Sequence, residues 1–395
     1  MALRGLSRVL EAIAGSEPLE GVEPSLTLSD LLERQSIEDS GLFRSRVYEA
    51  SPRPLTPRLP HPGRSPPLRY IAVDSSSRLI ETPSRSIVLT VVSVSSTSPL
   101  ELYDHPGVYR YPVEPREPPP YIAVSPGPME VWPATGRSPW GETYSGDEPR
   151  EAIMDGWRIA LENWAIREVV DKGLWGSHLN ILLVDGPLTP YPASHPRDAG
   201  RGWEVLAGGR ASAVERLEAM GVPVIGVVKR VERSMVIGST PELVSMVEDC
   251  TGHEGGGDRM LIHLLVKSRC FKWIPGRIYT TPKVLINPSM GGGLTKLVEY
   301  LVMPQGRWQM RPHTARVYRI EYTPTTLEIL RSHKLEPHQV IALDSILRGS
   351  RDPVTLHASD RRAKMISKAL RRLIAWGLTS RGVPLSYSSE VEVSR

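Results

Sequence analysis

Two aspartates in this sequence follow apolar segments of the kind that form buried strands. Asp74 ends the segment YIAVD and is followed by three serines, and Asp185 ends the segment ILLVD and is followed by a glycine. Hydrolysis of a phosphodiester needs an activated water and a stabilised leaving oxygen, and two divalent cations about 4 Å apart, held by carboxylates, supply both. The two strand ends therefore predict a site for Mg²⁺ or Mn²⁺, although an aspartate at a strand end is also a common turn residue.

A third acid is expected from the helix that precedes the second of these strands. Residues 150–172 show the apolar spacing of an amphipathic helix. Glu162 shares a partly apolar face of this helix with Ala165 and Ile166, which is an unusual place for a carboxylate unless it faces a site. Glu168 lies among charged neighbours, as is typical of a solvated surface, so Glu162 is the preferred candidate and Glu168 the alternative.

Two further charged residues complete the candidate site. Lys229 ends the strand segment VIGVVK, where a cation close to carboxylates is able to hold a scissile phosphate. A surface lysine at the start of a loop is the alternative. Asp360 begins the last amphipathic helix in the pattern, where it either caps that helix or supplies a fourth acid if the helix packs beside the first strand.

The order of the elements predicts how these residues meet. Three apolar runs between residues 70 and 125 predict a β-meander. Helices over 150–172 and 203–221, each followed by a strand, predict parallel strands with crossover helices. We therefore expect an α/β fold of the RNase H-like type, a mixed sheet flanked by helices with acids on its first and fourth strands.

The remaining segments are assigned by composition. Leu6, Val9, Leu10 and Ile13 have helical spacing, which predicts an N-terminal helical extension rather than a targeting peptide. The segments VEYLVMP and ARVYRIEYTP predict a strand pair before the closing helices. The predicted parts are a helical segment (1–50), a Pro/Arg linker (51–67), a main domain (68–380) with insertions around 100–150 and 240–315, and a tail (381–395).

Composition narrows the classes of protein. With 395 residues, 40% of them hydrophobic, the chain is able to bury a large core. It has no run near the roughly 20 apolar residues that a membrane helix needs, so we expect a cytoplasmic protein with no membrane contact. The formal charge of +4 and the excess of Arg over Lys fit phosphate contacts, but a GC-rich or hyperthermophilic source gives the same bias. Cys250 and Cys270 form no CxxC zinc motif, and we expect buried free thiols rather than a disulfide.

Five short segments, in this order, resemble the motifs of the NurA family of nucleases. They are YIAVDSSSR, ILLVDGPL, VPVIGVVKR, ARVYRIEYTP and DPVTLHASDRRAKM, which together span roughly residues 65–375. The resemblance implies an RNase H-like deoxyribonuclease that needs Mn²⁺, with Mg²⁺ as the alternative. It implies action on single-stranded DNA and, from 5′ ends, on duplex DNA. It also implies a homodimer that docks on a hexameric HerA-type ATPase during archaeal DNA end resection and double-strand break repair.

By position, the resemblance makes Asp74, Glu162 and Asp185 metal ligands, with Asp360 as the fourth, and makes Lys229 the family lysine. The same resemblance identifies Arg319, Glu321 and Pro324 as the family's Arg-x-Glu-x-x-Pro segment.

Two motifs depart from the family pattern. The first usually reads Asp-Gly-Ser, where this chain reads Asp74-Ser75-Ser76. The last usually has a Tyr and a His eight residues apart, where this chain has Asp352 and Asp360. Asp360 keeps the capacity to bind a metal, whereas Asp352 supplies no tyrosine hydroxyl.

Three alternatives follow from the sequence. A catalytically degenerate NurA-like protein would bind DNA or a HerA-type partner without cleaving, and a different RNase H-like enzyme would act on RNA. A nucleotide-binding enzyme is disfavoured, because GHEGGGD and MGGGL lack the strand-to-helix context of a phosphate loop.

Overall fold

The computed structural model describes most of the region from residue 43 to residue 386. The described residues are 10, 35–36, 43–49, 51, 53–60, 66–82, 85–97, 103–105, 122–125, 138–141, 150–171, 178–191, 200–232, 234–253, 255–288, 293–303, 315–345, 350 and 352–386.

Within these residues the elements alternate between strands and helices. The strands are β1 Gln35–Ser36, β2 Phe43–Glu49, β3 Thr56–Arg58, β4 Leu68–Thr82, β5 Arg85–Ser96, β6 Tyr103–His105, β7 Ile122–Ser125, β8 Leu179–Asp185, β9 Pro190–Tyr191, β10 Val224–Val228, β11 Ile278–Thr280, β12 Lys283–Pro288, β13 Lys296–Met303 and β14 Arg316–Tyr322. The helices are α1 Arg150–Asp171, α2 Gly200–Ala219, α3 Pro241–Thr251, α4 Asp258–Lys267, α5 Pro324–Ser332, α6 Pro337–Asp344 and α7 Val354–Thr379.

One large mixed sheet organises the described part of the chain. Its main path runs β2-β12-β13-β14-β10-β8-β4-β5-β6, with β3, β7 and β11 paired beside it. The strands β4, β8 and β10 are parallel neighbours, and β4, β5 and β6 form an antiparallel meander. This is the strand order of the RNase H-like fold, so that prediction is confirmed.

Helices cover both faces of the parallel strands, which explains why those strands are apolar on both sides. On β4, Tyr70 and Ala72 face a core that includes Leu356 of α7. The alternate residues Ile71 and Val73 face the opposite core, which α1 and α2 line. The prediction that the first strand ends at Asp74 is wrong, because β4 continues to Thr82 in antiparallel pairing with β5. Asp74 therefore lies in the middle of β4, between α7 on one face and α1 on the other.

The predicted N-terminal helix is wrong for residues 43–49. This segment alternates between partly buried and exposed side chains and pairs with β12 as an antiparallel strand. Alternation with a period of two residues is typical of a strand. The pairing with β12 places the segment in the main sheet rather than in a separate N-terminal part. Leu10 is helical and packs against Gly377 of α7, whereas residues 1–9 and 11–34 lie outside the described residues.

Three other predicted parts of the chain contain strands or an anchored segment. The Pro/Arg segment contains β3, a three-residue strand that pairs with β11. The region 240–315 contributes β11, β12 and β13 to the sheet, and the predicted strand pair is confirmed as β13 and β14. The start of the predicted tail is anchored, because Ser386 N donates to Glu81 O at 2.8 Å. Residues 387–395 lie outside the described residues, as does most of the predicted insertion around 100–150.

The two cysteines form a disulfide, so the expectation of free thiols is wrong. Cys250 lies near the end of α3, and Cys270 lies just after α4, with 5.5 Å between their Cα atoms. The hairpin of two helices brings these positions together.

Every described helix is too short or too polar to cross a lipid bilayer.

Candidate metal centre

Three aspartates from distant parts of the chain meet where the parallel pairing of β4 with β8 ends. Carboxylate oxygens of Asp74, Asp185 and Asp360 all lie within 4.8 Å of one another. The first two are neighbours because β4 and β8 are parallel, with Val73 paired to Val184 one residue before the acids. Strand pairing thus brings together two side chains that are far apart in sequence.

The third aspartate reaches the site because α7 is fixed against the same strands. Ser359 Oγ donates to the Ser93 carbonyl at 2.6 Å, which anchors the helix on the β4–β5 pair. Asp360 is the next residue, and its Oδ1 lies 2.6 Å from Lys364 Nζ. The prediction that Asp360 begins this helix is wrong, because α7 starts at Val354 and Asp360 lies in its second turn.

Burial and like charge dominate the electrostatics of the centre. Burial raises the pKa of Asp74 well above its ordinary value, and the neighbouring carboxylates of Asp185, Glu162 and Asp360 raise it further. Burial also raises the pKa of Asp360, but hydrogen bonds and charge from Lys364, together with a hydrogen bond to Asp74, leave it below its ordinary value.

The donor set fits a hard divalent cation. Three carboxylates supply oxygen ligands of the kind that Mn²⁺ and Mg²⁺ prefer. A cation among Asp74, Asp185 and Asp360 would balance the repulsion between these carboxylates. The residues present therefore fit such a metal.

Lys229 faces this group from the end of β10. Its Nζ donates to Asp185 Oδ2 at 2.7 Å. Burial alone would lower the pKa of Lys229, but the charges of Asp185, Asp74 and Asp360 leave that pKa above its ordinary value. The lysine is therefore a fixed positive charge at the carboxylate cluster.

Glu162 lies beside the aspartates, but it is not one of the three acids that converge. Ser75 separates it from Asp74, because the Ser75 amide donates to Asp74 Oδ1 at 2.7 Å and Ser75 Oγ donates to Glu162 Oε1 at 2.6 Å. The other oxygen of Glu162 lies 2.9 Å from Arg210 Nη2, and both side chains are fully buried. Glu168, the alternative, lies further along α1 and is partly exposed.

Arg210 is a residue that sequence reasoning missed. Its Nε also donates to Asn163 Oδ1 at 2.5 Å, so it binds two adjacent residues of α1 from α2. A signal was present in the sequence. Arg210 has the spacing of Ala213, Val214 and Leu217, which form the buried stripe of α2.

A second buried network supports the loop that follows Asp185. Glu321 accepts from the Leu188 amide at 2.8 Å and from Lys296 Nζ at 2.7 Å. Arg319 Nε lies 2.9 Å from Glu321 Oε1. The Arg-x-Glu motif therefore holds the loop after a site aspartate, a role that the motif alone does not reveal.

The last motif also has a structural partner. Tyr318 Oη donates to Asp352 Oδ1 at 2.6 Å. Val228 is the last residue of β10 that pairs with β14, and its partner is Arg319. Lys229 and Tyr318 are the next residues on the two segments, so both lie just beyond this pairing. Asp352 thus accepts a hydrogen bond from a tyrosine of β14.

Comparisons with known proteins point to one family. The sequence model of the NurA domain matches residues 68–365, well over half of the chain. The solved structure of the NurA nuclease from Sulfolobus solfataricus is 9% identical, with a TM-score of 0.42, over 78% of this chain and 81% of that chain. A structure of NurA with manganese is 9% identical, with a TM-score of 0.46, over 83% of this chain and 92% of that chain. No curated protein sequence matches the chain.

Proposed function

Because the chain belongs to the NurA family, we propose that it is a metal-dependent nuclease that hydrolyses phosphodiester bonds in DNA. One observation carries the proposal: carboxylate oxygens of Asp74, Asp185 and Asp360 lie within 4.8 Å of one another where the parallel pairing of β4 with β8 ends.

Each residue of the site has a proposed role. Asp74, Asp185 and Asp360 hold the metal. Glu162 is a fourth acid beside them, because Ser75 hydrogen-bonds to both Asp74 and Glu162. When bound, a divalent cation supplies activation of water and neutralises charge on the phosphate.

Lys229 acts beside the carboxylates. Its ammonium group is held at the cluster by Asp185, where it is placed to donate to a non-bridging phosphate oxygen. Its fixed charge stabilises negative charge as it develops on the phosphate.

Membership of the family supports several finer assignments, which we propose here. We propose that Mn²⁺ is the working metal, that the enzyme cleaves single strands internally, and that it degrades duplex DNA from 5′ ends. We propose further that it is a cytoplasmic homodimer that works with a HerA-type ATPase in archaeal DNA end resection and homologous recombination.

A second candidate function is binding without cleavage. The observation that favours it is the last motif, where Asp352 and Asp360 stand in place of the family's Tyr and His. A degenerate protein of this kind would still bind DNA or a HerA-type partner.

Cleavage by matched variants tests the proposal. Fluorescently labelled single-stranded DNA, duplex DNA and RNA are incubated with the protein in Mn²⁺, Mg²⁺ or EDTA. We expect DNA cleavage with Mn²⁺, none with EDTA, and a loss of at least about a hundredfold in Asp185→Asn. Asp249→Asn, a change at an exposed position of α3, is the control and should cleave normally. Absence of cleavage by the wild type in both metals would support the binding-only function instead.

A further inference from the structure

The helix that carries Asp360 holds a dense concentration of positive charge. Between Val354 and Thr379 it contains six arginines and lysines and a single aspartate, a formal charge of +5, whereas the whole chain carries +4. The net positive charge of the sequence is therefore carried by α7, and the remaining residues sum to a formal charge of −1, the difference between +4 and +5.

Part of this charge forms a stripe on the outer face of the helix. Arg361, Lys368 and Arg372 are exposed, and at 3.6 residues per turn they fall within about 40° of one another around the axis. Among the described residues, none makes an ion pair with any of these three side chains. Solvated helix faces usually interleave opposite charges, but α7 has no acid after Asp360.

Two exposed apolar side chains lie along one side of the stripe. Trp376 is 69% exposed and Met365 is 60% exposed, and both lie on the same side of the basic residues. A large aromatic ring is costly to leave in water, so an exposed tryptophan beside three cations indicates a binding surface.

The stripe has a fixed direction relative to the aspartates, because α7 follows β4. Ser367 Oγ lies 3.1 Å from Ser76 Oγ, and further along Leu378 packs in one core cluster with Ile80. Asp360 and Trp376 are sixteen residues apart, or about 24 Å along the helix axis. The basic face therefore begins beside the metal centre and leads directly away from it.

We propose that this outer face of α7 binds an extended single strand of DNA and delivers it to Asp74, Asp185 and Asp360. This inference rests on the proposed nuclease function. Arg361, Lys368 and Arg372 contact successive phosphates, and Trp376 stacks on an unpaired base. Basic side chains beside an exposed aromatic are the usual means of binding single strands without sequence preference. A duplex offers phosphates but no free base faces, so Trp376 gives the surface its preference for a single strand.

Binding without metal isolates this surface from the chemistry. Anisotropy of a 5′-fluorescein-labelled 20-nucleotide oligodeoxythymidylate is measured in EDTA over a range of salt concentrations. A hairpin duplex serves for comparison. The test variants are the double variant Lys368→Gln/Arg372→Gln and the single variant Trp376→Ala. The matched control is Lys267→Gln/Lys272→Gln, which removes two exposed lysines from α4 and the turn after it.

We expect the double variant to bind single strands about tenfold more weakly and to lose about 1.4 from the slope of log affinity against log salt. Trp376→Ala should weaken single-strand binding about tenfold and leave duplex binding unchanged. The control should bind as the wild type does. Circular dichroism confirms that each variant is folded.

The outcomes separate this inference from the proposed function. If the wild type cleaves DNA and both test variants bind single strands normally, the proposed α7 binding surface is wrong and the proposed nuclease activity stands. If the wild type never cleaves but the α7 variants lose binding, the nuclease is wrong and the surface stands. If Trp376→Ala alters only the molecular mass in light scattering, the face contacts protein and the inference is overturned.

Discussion

Arg210 Nη2 lies 2.9 Å from Glu162 Oε2, and both side chains are fully buried. The pair joins α2 to α1 directly behind Ser75, the residue that also binds Asp74. Removing one partner of a buried ion pair leaves an uncompensated charge, which costs much more than the net value of the pair. The contact therefore fixes an acid beside the metal centre.

Arg210→Met should lower the free energy of unfolding by about 3–5 kcal/mol. The reason is that Glu162 would remain buried without its cation. Chemical denaturation measures the change, and adding Glu162→Gln to the variant should restore part of the loss. Arg216→Met, at an exposed position of the same helix, should change stability by less than about 1 kcal/mol. An equally small effect at Arg210 would show that the pair does not hold α1 to α2.

Lys229→Met should separate metal binding from catalysis. Loss of the cation beside Asp185 removes a repulsion against Mn²⁺, so calorimetry should find metal affinity raised about tenfold. Cleavage under single-turnover conditions should fall about a hundredfold, because the phosphate loses its donor. Lys267→Met is the control on α4 and should alter neither quantity. Weaker metal binding by Lys229→Met would contradict the assigned position of the lysine.

Glu299 predicts a pH dependence of stability away from the metal centre. Burial raises the pKa of this carboxyl on β13 to about 7, against 4.5 for the free side chain, although Lys283 opposes the shift. Between these values the unfolded chain loses its proton while the folded protein keeps it, so stability falls as pH rises. We expect the stability difference between the wild type and Glu299→Gln to fall by about 3 kcal/mol from pH 4.5 to pH 7. Denaturation at several pH values measures it, and a constant difference would mean that Glu299 titrates normally.

Much of the site was predictable, because an acid directly after a buried apolar run is a strong signal, even though β4 continues beyond Asp74. Asp74 and Asp185 each follow four apolar residues, and parallel pairing does the rest. Asp360 was identified as an acid on the closing helix, but its helix starts earlier than Asp360 suggested, since Pro353 sets the first turn. Glu162 and Arg210 are 48 residues apart in the sequence, and no local pattern specifies their contact.

Other errors came from competition between local and tertiary signals. The segment Phe43–Glu49 has a mixed pattern, and only its pairing with β12 decides in favour of a strand. The distance between Cys250 and Cys270 is set by how α3 packs on α4, which a spacing of 20 residues does not reveal.

The disulfide should contribute to thermal stability. Closing the loop between Cys250 and Cys270 lowers the entropy of the unfolded chain and so raises its free energy by about 3 kcal/mol. Calorimetry with and without reductant should show a lower Tm for the reduced wild type. The variant Cys250→Ser/Cys270→Ser should match that lower Tm and be insensitive to reductant. Equal Tm values for the oxidised and reduced wild type would refute the contribution.

Gly226 on β10 leaves room for the loop that follows Asp185. A Cβ there would lie 2.8 Å from the Leu188 nitrogen and 2.9 Å from the Gly186 oxygen, both of them backbone atoms. Gly226→Ala must therefore push this loop away from the sheet, breaking the Leu188 contact with Glu321. We expect a loss of about 1–3 kcal/mol in stability, together with weaker Mn²⁺ binding measured by calorimetry. Gly208→Ala on α2, where a Cβ meets no atom within 4 Å, should instead stabilise the protein by about 0.5–1 kcal/mol. If Gly226→Ala bound Mn²⁺ as tightly as the wild type does, the loop would have no part in positioning Asp185.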